Sequence, residues 1–86
     1  YIPAILKSFP NPSNGLFTSK ITVNKSQIVE YFITNNVGEV ISNRNINLKN
    51  GMNEIHFNEN FSSGVYFVTL KLESGESLSN KILIKN

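Results

Sequence analysis

Apolar and polar residues alternate along most of this chain, and this period of two constrains the fold more than any other feature of the sequence. In the segment LFTSKITV, for example, the alternation places Phe17, Ile21 and Val23 on the same side. Successive side chains of a β-strand point to opposite faces, so the pattern predicts strands with one buried and one exposed face. No segment of ten residues or more has the repeat of an amphipathic helix.

Seven segments carry this alternation or a weaker form of it. They are residues 4–9, 16–23, 28–34, 40–48, 52–57, 64–72 and 78–84. The sixth segment, GVYFVTLKL, is apolar on both sides from Val65 to Val68, which is typical of a strand in the middle of a sheet. In the third segment Phe32 falls on the polar side and does not fit the alternation.

Turn-forming residues separate the predicted strands. In FPNPSNG, Pro10 and Pro12 have no backbone N–H to donate, and a Ser-Asn-Gly turn ending at Gly15 follows them. Gly38 and Gly75 mark further turns. Short strands separated by turns every roughly 8–12 residues predict an all-β fold, an immunoglobulin-like antiparallel β-sandwich of about seven strands. A barrel of about five or six strands is the alternative.

The length and charge of the chain limit its possible partners. Its 86 residues are enough for one domain with one modest core. The formal net charge is +2, and the eight basic residues are spread along the sequence without a cluster. Proteins that bind nucleic acids concentrate lysine and arginine on one face, so we expect no nucleic-acid partner. No apolar run reaches the roughly 20 residues that a membrane-spanning helix needs.

Few residue types that support catalysis or metal binding occur in the chain. Cysteine and aspartate are absent, which excludes thiol nucleophiles, thiolate metal sites and the usual acidic calcium loops. His56 is the only histidine, and it falls beside Glu54 on the polar side of a strand with no recognisable nucleophile. We therefore expect a solvated His56 and a protein that is not an enzyme and uses no cofactor, metal or small-molecule substrate.

Most of the aromatic residues, six Phe and three Tyr, fall on sides of strands that a core requires. Phe32, Tyr1 and Phe61 are the candidates for a position on the surface. There they would contribute to a sugar-binding or protein-docking patch. An accessory carbohydrate-binding or adhesive β-sandwich is therefore the alternative function, although the chain has no tryptophan for a sugar-stacking platform.

Five motifs follow one another along the chain. They are FPNPSNG at residues 9–15, TNNVGEVI at 34–41, GMNEIHF at 51–57, FSSGVYFVTL at 61–70 and NKILIKN at 80–86. In this order they resemble the C-terminal sorting domain, type A, of proteins exported by the type IX secretion system of Bacteroidetes. The resemblance covers almost the whole chain, and it implies a secretion signal with an immunoglobulin-like sandwich fold.

By this resemblance, eleven positions of the chain match motif residues of that family. They are Pro10, Asn11, Pro12, Gly15, Gly38, Gly64, Val65, Tyr66, Lys81, Ile82 and Lys85. We expect the glycines to serve backbone conformation, and Val65 and Tyr66 to pack in the core. Lys81, Ile82 and Lys85 belong to the last segment, which the family uses for recognition. A terminal strand at the edge of a sheet is also a place where a partner strand can pair.

Two positions depart from the pattern of the family. The family usually has tyrosine before Pro-Asn-Pro, and Phe9 here keeps the ring without the hydroxyl. The family also usually has aspartate three residues before the turn glycine, where this chain has Asn35. Asparagine can still make the side-chain-to-backbone bond of the turn, so we expect the fold to be preserved. A translocon that reads a negative charge there would bind this chain less well.

The resemblance implies the following route and partners. The domain, residues 1–86, would be a segment of a longer secreted precursor, in keeping with a sequence that begins at Tyr1 without a leader. The precursor would reach the periplasm, where shuttle proteins and the outer-membrane translocon would recognise the domain. A sortase-like surface peptidase would then remove it, and the cargo would be released or joined to the cell surface. We expect a monomeric domain.

Overall fold

The computed structural model describes residues 4–9, 16–58 and 61–85. Within these ranges the chain forms seven strands: β1 (Ile5–Phe9), β2 (Leu16–Val23), β3 (Gln27–Asn35), β4 (Val40–Leu48), β5 (Gly51–Asn58), β6 (Gly64–Lys71) and β7 (Ser77–Ile84). The same ranges contain no helix, and hence none long and apolar enough to cross a membrane. All seven predicted strands are confirmed, and no strand end differs from the prediction by more than one residue.

The strands form two antiparallel sheets that pack face to face as a sandwich. One sheet has the strand order β1-β2-β5, and the other has the order β4-β3-β6-β7. The all-β sandwich is thus confirmed, and the barrel alternative is wrong. Compared with a constant-type immunoglobulin domain, the fourth strand has moved from the first sheet to the second. The apolar strand β6 lies between β3 and β7, in the middle of its sheet, as its sequence predicts.

The core lies between the two sheets and contains a stack of three aromatic rings. Phe57 of β5 stacks on Phe17 of β2 with ring centroids 4.9 Å apart. Phe57 also stacks on Tyr31 of β3 at 4.6 Å. Because Tyr31 belongs to the other sheet, the stack joins the two sheets across the middle of the sandwich. Offset aromatic pairs of this kind contribute about 0.5–1.5 kcal/mol each beyond the burial of their area.

The inner face of β2 also contains one polar residue, Ser19, which is fully buried. Its hydroxyl lies 2.9 Å from the hydroxyl of Ser8 on β1 and 3.5 Å from the hydroxyl of Tyr31. A buried hydroxyl without a partner costs free energy, so the hydroxyl of Ser8 on the neighbouring strand is what makes serine tolerable here. This pair lets a polar residue interrupt the apolar side of β2.

The two open sides of the sandwich are closed in different ways. On one side β1 lies against β7, although the two strands belong to different sheets. On the other side Arg44 of β4 is opposite Tyr31 in the register and therefore turns toward the core. Its guanidinium carbon lies 4.9 Å from the centroid of the Phe57 ring. An inward-pointing charge of this kind is a recognised protection of an edge strand against unwanted pairing.

Candidate functional site

The predicted motifs from residue 34 onward that belong to the four-stranded sheet meet at one end of it. In the pairing of β6 with β7, Val65 is opposite Leu83 and Tyr66 is opposite Ile82. In the pairing of β3 with β6, Asn35 is opposite Tyr66. The turn that contains Gly38 follows directly after Asn35. Antiparallel pairing therefore brings three motifs, distant in sequence, to the same place.

Asn35 organises the turn between β3 and β4. Its side-chain oxygen accepts hydrogen bonds from the backbone N–H groups of Val37, at 3.1 Å, and Glu39, at 2.9 Å. Its side-chain amide donates to Oε1 of Glu39 at 2.8 Å. The turn bond expected of asparagine at this position is thus present. Gly38 has a φ of +85°, a conformation that glycine adopts without strain, so its expected backbone role fits the geometry.

Tyr66 is buried and also holds the segment that precedes β6. Its hydroxyl donates a hydrogen bond of 2.7 Å to the backbone carbonyl of Ser62. The ring of Phe61 stacks on the Tyr66 ring with centroids 5.0 Å apart. Tyr66 therefore holds the residues before β6 in place through both its hydroxyl and its ring. Phe61, a candidate surface aromatic in the sequence, is half-buried by this contact.

Val65 and Gly64 precede Tyr66 on the same strand. The expectation that Val65 packs in the core is wrong, because it is only half-buried and points to the opposite side of β6 from Tyr66. The sequence misleads here because both sides of this strand are apolar. Gly64 is the first residue of β6 and is opposite Ile84. An added Cβ at Gly64 would lie 3.8 Å from the Tyr66 ring, which is ordinary van der Waals contact.

β7 is an edge strand of the four-stranded sheet and is hydrogen-bonded there to β6. Ile82 points into the core and is 2% exposed, whereas Lys81 lies on the outer face and is exposed. Lys85 follows the strand and is exposed as well. The strand thus combines an apolar side that anchors it with a basic side that faces solvent. Pro10, Asn11, Pro12 and Gly15 lie outside the described residues.

A residue that the sequence did not single out, Asn80, lies where β7 passes β1. Asn80 is opposite Val68 on the inner face, and it lines a shallow cavity together with Ser8 and Phe9 of β1. Its side-chain amide donates to the carbonyl of Ser79 at 3.1 Å. Its side-chain oxygen is buried and has no hydrogen-bond partner among the described residues. The signal in the sequence was a polar residue at an inward position of the last strand.

The residues considered for catalysis lie on the outer face of the three-stranded sheet. Nδ1 of His56 is 2.9 Å from the hydroxyl of Thr18, and its Nε2 is 3.8 Å from Oε2 of Glu54. The His56 side chain is 74% exposed, as the sequence predicts for a strand residue in solvent. In the described part of the chain, no three His, Cys, Asp or Glu side chains are grouped as a metal site requires.

A comparison with known protein families identifies the family of this chain. A family model described as "Secretion system C-terminal sorting domain" matches residues 7–85, from within β1 to the residue after β7. The chain belongs to this family. The match confirms the resemblance of the five motifs to sorting domains of the type IX secretion system. No curated protein matches the sequence at a significant level.

Membership explains why the chain carries several motifs in a fixed order. The sorting domain is a signal of the type IX secretion system, and it marks a protein for export toward the outer membrane or the extracellular space. The matched residues include all seven strands in whole or in part. The family pattern therefore coincides with the complete sandwich rather than with a short terminal peptide.

Proposed function

We propose that residues 1–86 form the C-terminal sorting domain of a longer secreted precursor, whose cargo crosses the outer membrane through the type IX translocon. The observation that carries the proposal is the family match over residues 7–85, because it spans both sheets of the sandwich. In this function the domain is a secretion signal that other proteins recognise, and it is not an enzyme. It acts as a monomer in the periplasm during transit and then at the outer-membrane surface or outside the cell.

The proposal includes the later steps that the family implies. Shuttle proteins and the outer-membrane translocon bind the domain, and a sortase-like surface peptidase then cleaves it from the cargo. The cargo is released or attached to the cell surface. Each of these partners is a protein, and the exposed side chains of an edge strand suit recognition by proteins.

Within the domain, we assign recognition to β7 and the residue after it. Lys81 and Lys85 are exposed, while Ile82 and Ile84 are 2% and 1% exposed and fix the strand to the core. A deletion of residues 78–86 would block export in any case, because it removes both buried isoleucines and thereby destabilises the sandwich. Substitutions of the exposed lysines test recognition without removing core residues.

The experiment is a fusion of residues 1–86 to the C-terminus of a periplasmic reporter enzyme that has its own signal peptide. The fusion is expressed in a bacterium with a type IX system and in an isogenic strain that lacks the translocon. We expect the reporter in the medium or on the surface of the first strain and in the periplasm of the second. A reporter that remains in the periplasm of both strains would contradict the proposed function.

The assignment of β7 is tested in the same fusion. Lys81→Glu combined with Lys85→Glu should reduce export, because both side chains reverse their charge on the proposed recognition strand. Lys25→Glu combined with Lys49→Glu is the matched control, since both lysines are exposed but lie in the turns between β2 and β3 and between β4 and β5. Equal export of the β7 variant and the control would show that β7 is not the recognition strand. It would not contradict the signal function of the domain.

A further inference from the structure

The outer face of the four-stranded sheet carries an apolar patch that neither the core nor the proposed role of the β7 lysines explains. The register places Phe32, Thr69 and Ser79 side by side across three strands, and Val40, Thr34 and Phe67 in the next row. Val65 and Leu83 form the row after that. The apolar residues of these three rows lie around Phe67 on the outer face. They are Phe32, Val40, Val65, Phe67 and Leu83, and we call them the Phe67 patch.

These side chains are accessible to solvent. Val40 is 53% exposed and Leu83 is 41% exposed, while Phe32, Val65 and Phe67 are half-buried among their neighbours. Apolar side chains on one row and diagonal apolar side chains on the next are close enough to form a continuous surface. Contiguous apolar surface of this kind commonly marks a site of interaction. The discordant Phe32 of the sequence is therefore part of a surface cluster.

The charges around the patch indicate the chemistry of a partner. Lys81 is directly opposite Phe67, and Lys85 follows Leu83 along the same chain end. Of the carboxylates near the patch, Glu30 is opposite Lys71, and Glu39, which accepts the amide of Asn35, precedes Val40 on the β4 side. The rim of the patch is therefore basic along β7. A complementary surface is apolar at its centre and carries carboxylates at the edge that meets β7.

We propose that the Phe67 patch docks an apolar surface, flanked by acidic residues, of a protein of the secretion machinery. The inference rests on the proposed function and locates its contact on the outer face of the four-stranded sheet, next to the recognition strand. The residues directly opposite Phe67 are Thr34 and Lys81, so a glycan is the competing ligand, and binding measurements on the purified domain distinguish it from a protein.

The test uses the reporter fusion and changes only residues that are already exposed. Leu83→Glu places a carboxylate where the partner's acidic edge would lie, and Leu83→Lys places a cation there. Val40→Glu places a charge in the apolar contact on the β4 side of the patch. Met52→Glu is the matched control, because Met52 is 64% exposed on an edge strand of the other sheet. Thermal unfolding of each purified domain verifies that it is folded.

We expect the Leu83→Glu and Val40→Glu fusions to be exported at least about tenfold more slowly than the Met52→Glu fusion, as for the loss of one interface hot spot. Leu83→Lys should retain more export than Leu83→Glu. Wild-type rates for folded Glu variants, or a loss as large in the Met52→Glu control, would overturn the inference. The proposed function would survive either result, because it depends on export of the unmodified fusion.

Two other occupants of the patch are distinguished by measurements on the purified domain. If sedimentation shows a dimer that Leu83→Glu dissociates, the patch binds a second copy of the chain and the inference is overturned. If a glycan array shows binding that Phe67→Ala abolishes, the ligand is a carbohydrate and the inference is likewise overturned. A monomer without glycan binding, together with slow export of the Glu variants, supports a protein of the secretion machinery.

Discussion

The side-chain amide of Asn35 donates a hydrogen bond of 2.8 Å to Oε1 of Glu39, four residues further along the chain. The oxygen of the same side chain accepts two backbone N–H groups of the turn. An aspartate could accept the two backbone bonds, but it has no donor for Glu39 and would place a second negative charge beside it. Asparagine at this position is thus matched to the glutamate on the other side of the turn.

The first prediction follows from this match. Asn35→Asp should lower the free energy of unfolding by about 1 kcal/mol at neutral pH, because one hydrogen bond is exchanged for a repulsion between exposed carboxylates. Glu39→Gln in the same chain should recover most of that loss, since glutamine supplies a donor to the new carboxylate. Urea unfolding of both single variants and the double variant measures the coupling. Additive effects of the two substitutions would show that the side chains do not interact.

The second prediction concerns the glycine of the same turn. Gly38 has a φ of +85°, and an added Cβ would meet no atom within 4 Å. The cost of Gly38→Ala is therefore one of backbone conformation alone, and we expect a loss of about 1 kcal/mol. Gly38→Asn should cost less, because asparagine adopts positive φ more readily than alanine. Equal unfolding free energies for the two variants would show that φ is not the cause.

The seven strands and the central position of β6 could be anticipated from the alternation and from the apolar residues on both sides of β6. The inward orientation of Arg44 could not, because β4 has a weak pattern and its inner side contains Ser42 as well. At an edge strand part of the inner face is open to solvent, so apolar residues are not required there. Only the three-dimensional register shows that Arg44 covers the Phe57 ring.

For the candidate site too, the sequence identified individual residues, and the strand register was needed to show which of them are neighbours. The motifs identified Tyr66 and Lys81 separately, but their neighbourhood depends on which residues are opposite each other across β6 and β7. A shift of one residue would exchange the inner and outer faces of β7 and place Lys81 in the core. The alternation of Ile82 and Ile84 with lysines excludes that shift, whereas the position of Lys81 opposite Phe67 required the structure.

The third prediction tests the hydrogen bond between Tyr66 and the Ser62 carbonyl. Tyr66→Phe keeps the ring that stacks on Phe61 and removes only the hydroxyl, which donates at 2.7 Å. We expect the free energy of unfolding to fall by about 1 kcal/mol, because the carbonyl loses a partly buried partner. Limited proteolysis should cut the segment before β6 faster in this variant. Unchanged stability and cleavage would show that the ring alone holds this segment.

The fourth prediction uses the buried oxygen of Asn80. This oxygen has no hydrogen-bond partner among the residues described, and its side chain points from β7 toward β1. Asn80→Leu replaces it with an apolar side chain of similar size, so we expect the free energy of unfolding to rise by about 1 kcal/mol. Asn80→Asp, which keeps the shape and adds a charge at a buried position, should instead destabilise the domain. Urea unfolding measures both effects, and a Leu variant less stable than the natural domain would mean that the oxygen has a partner that holds β7 in place.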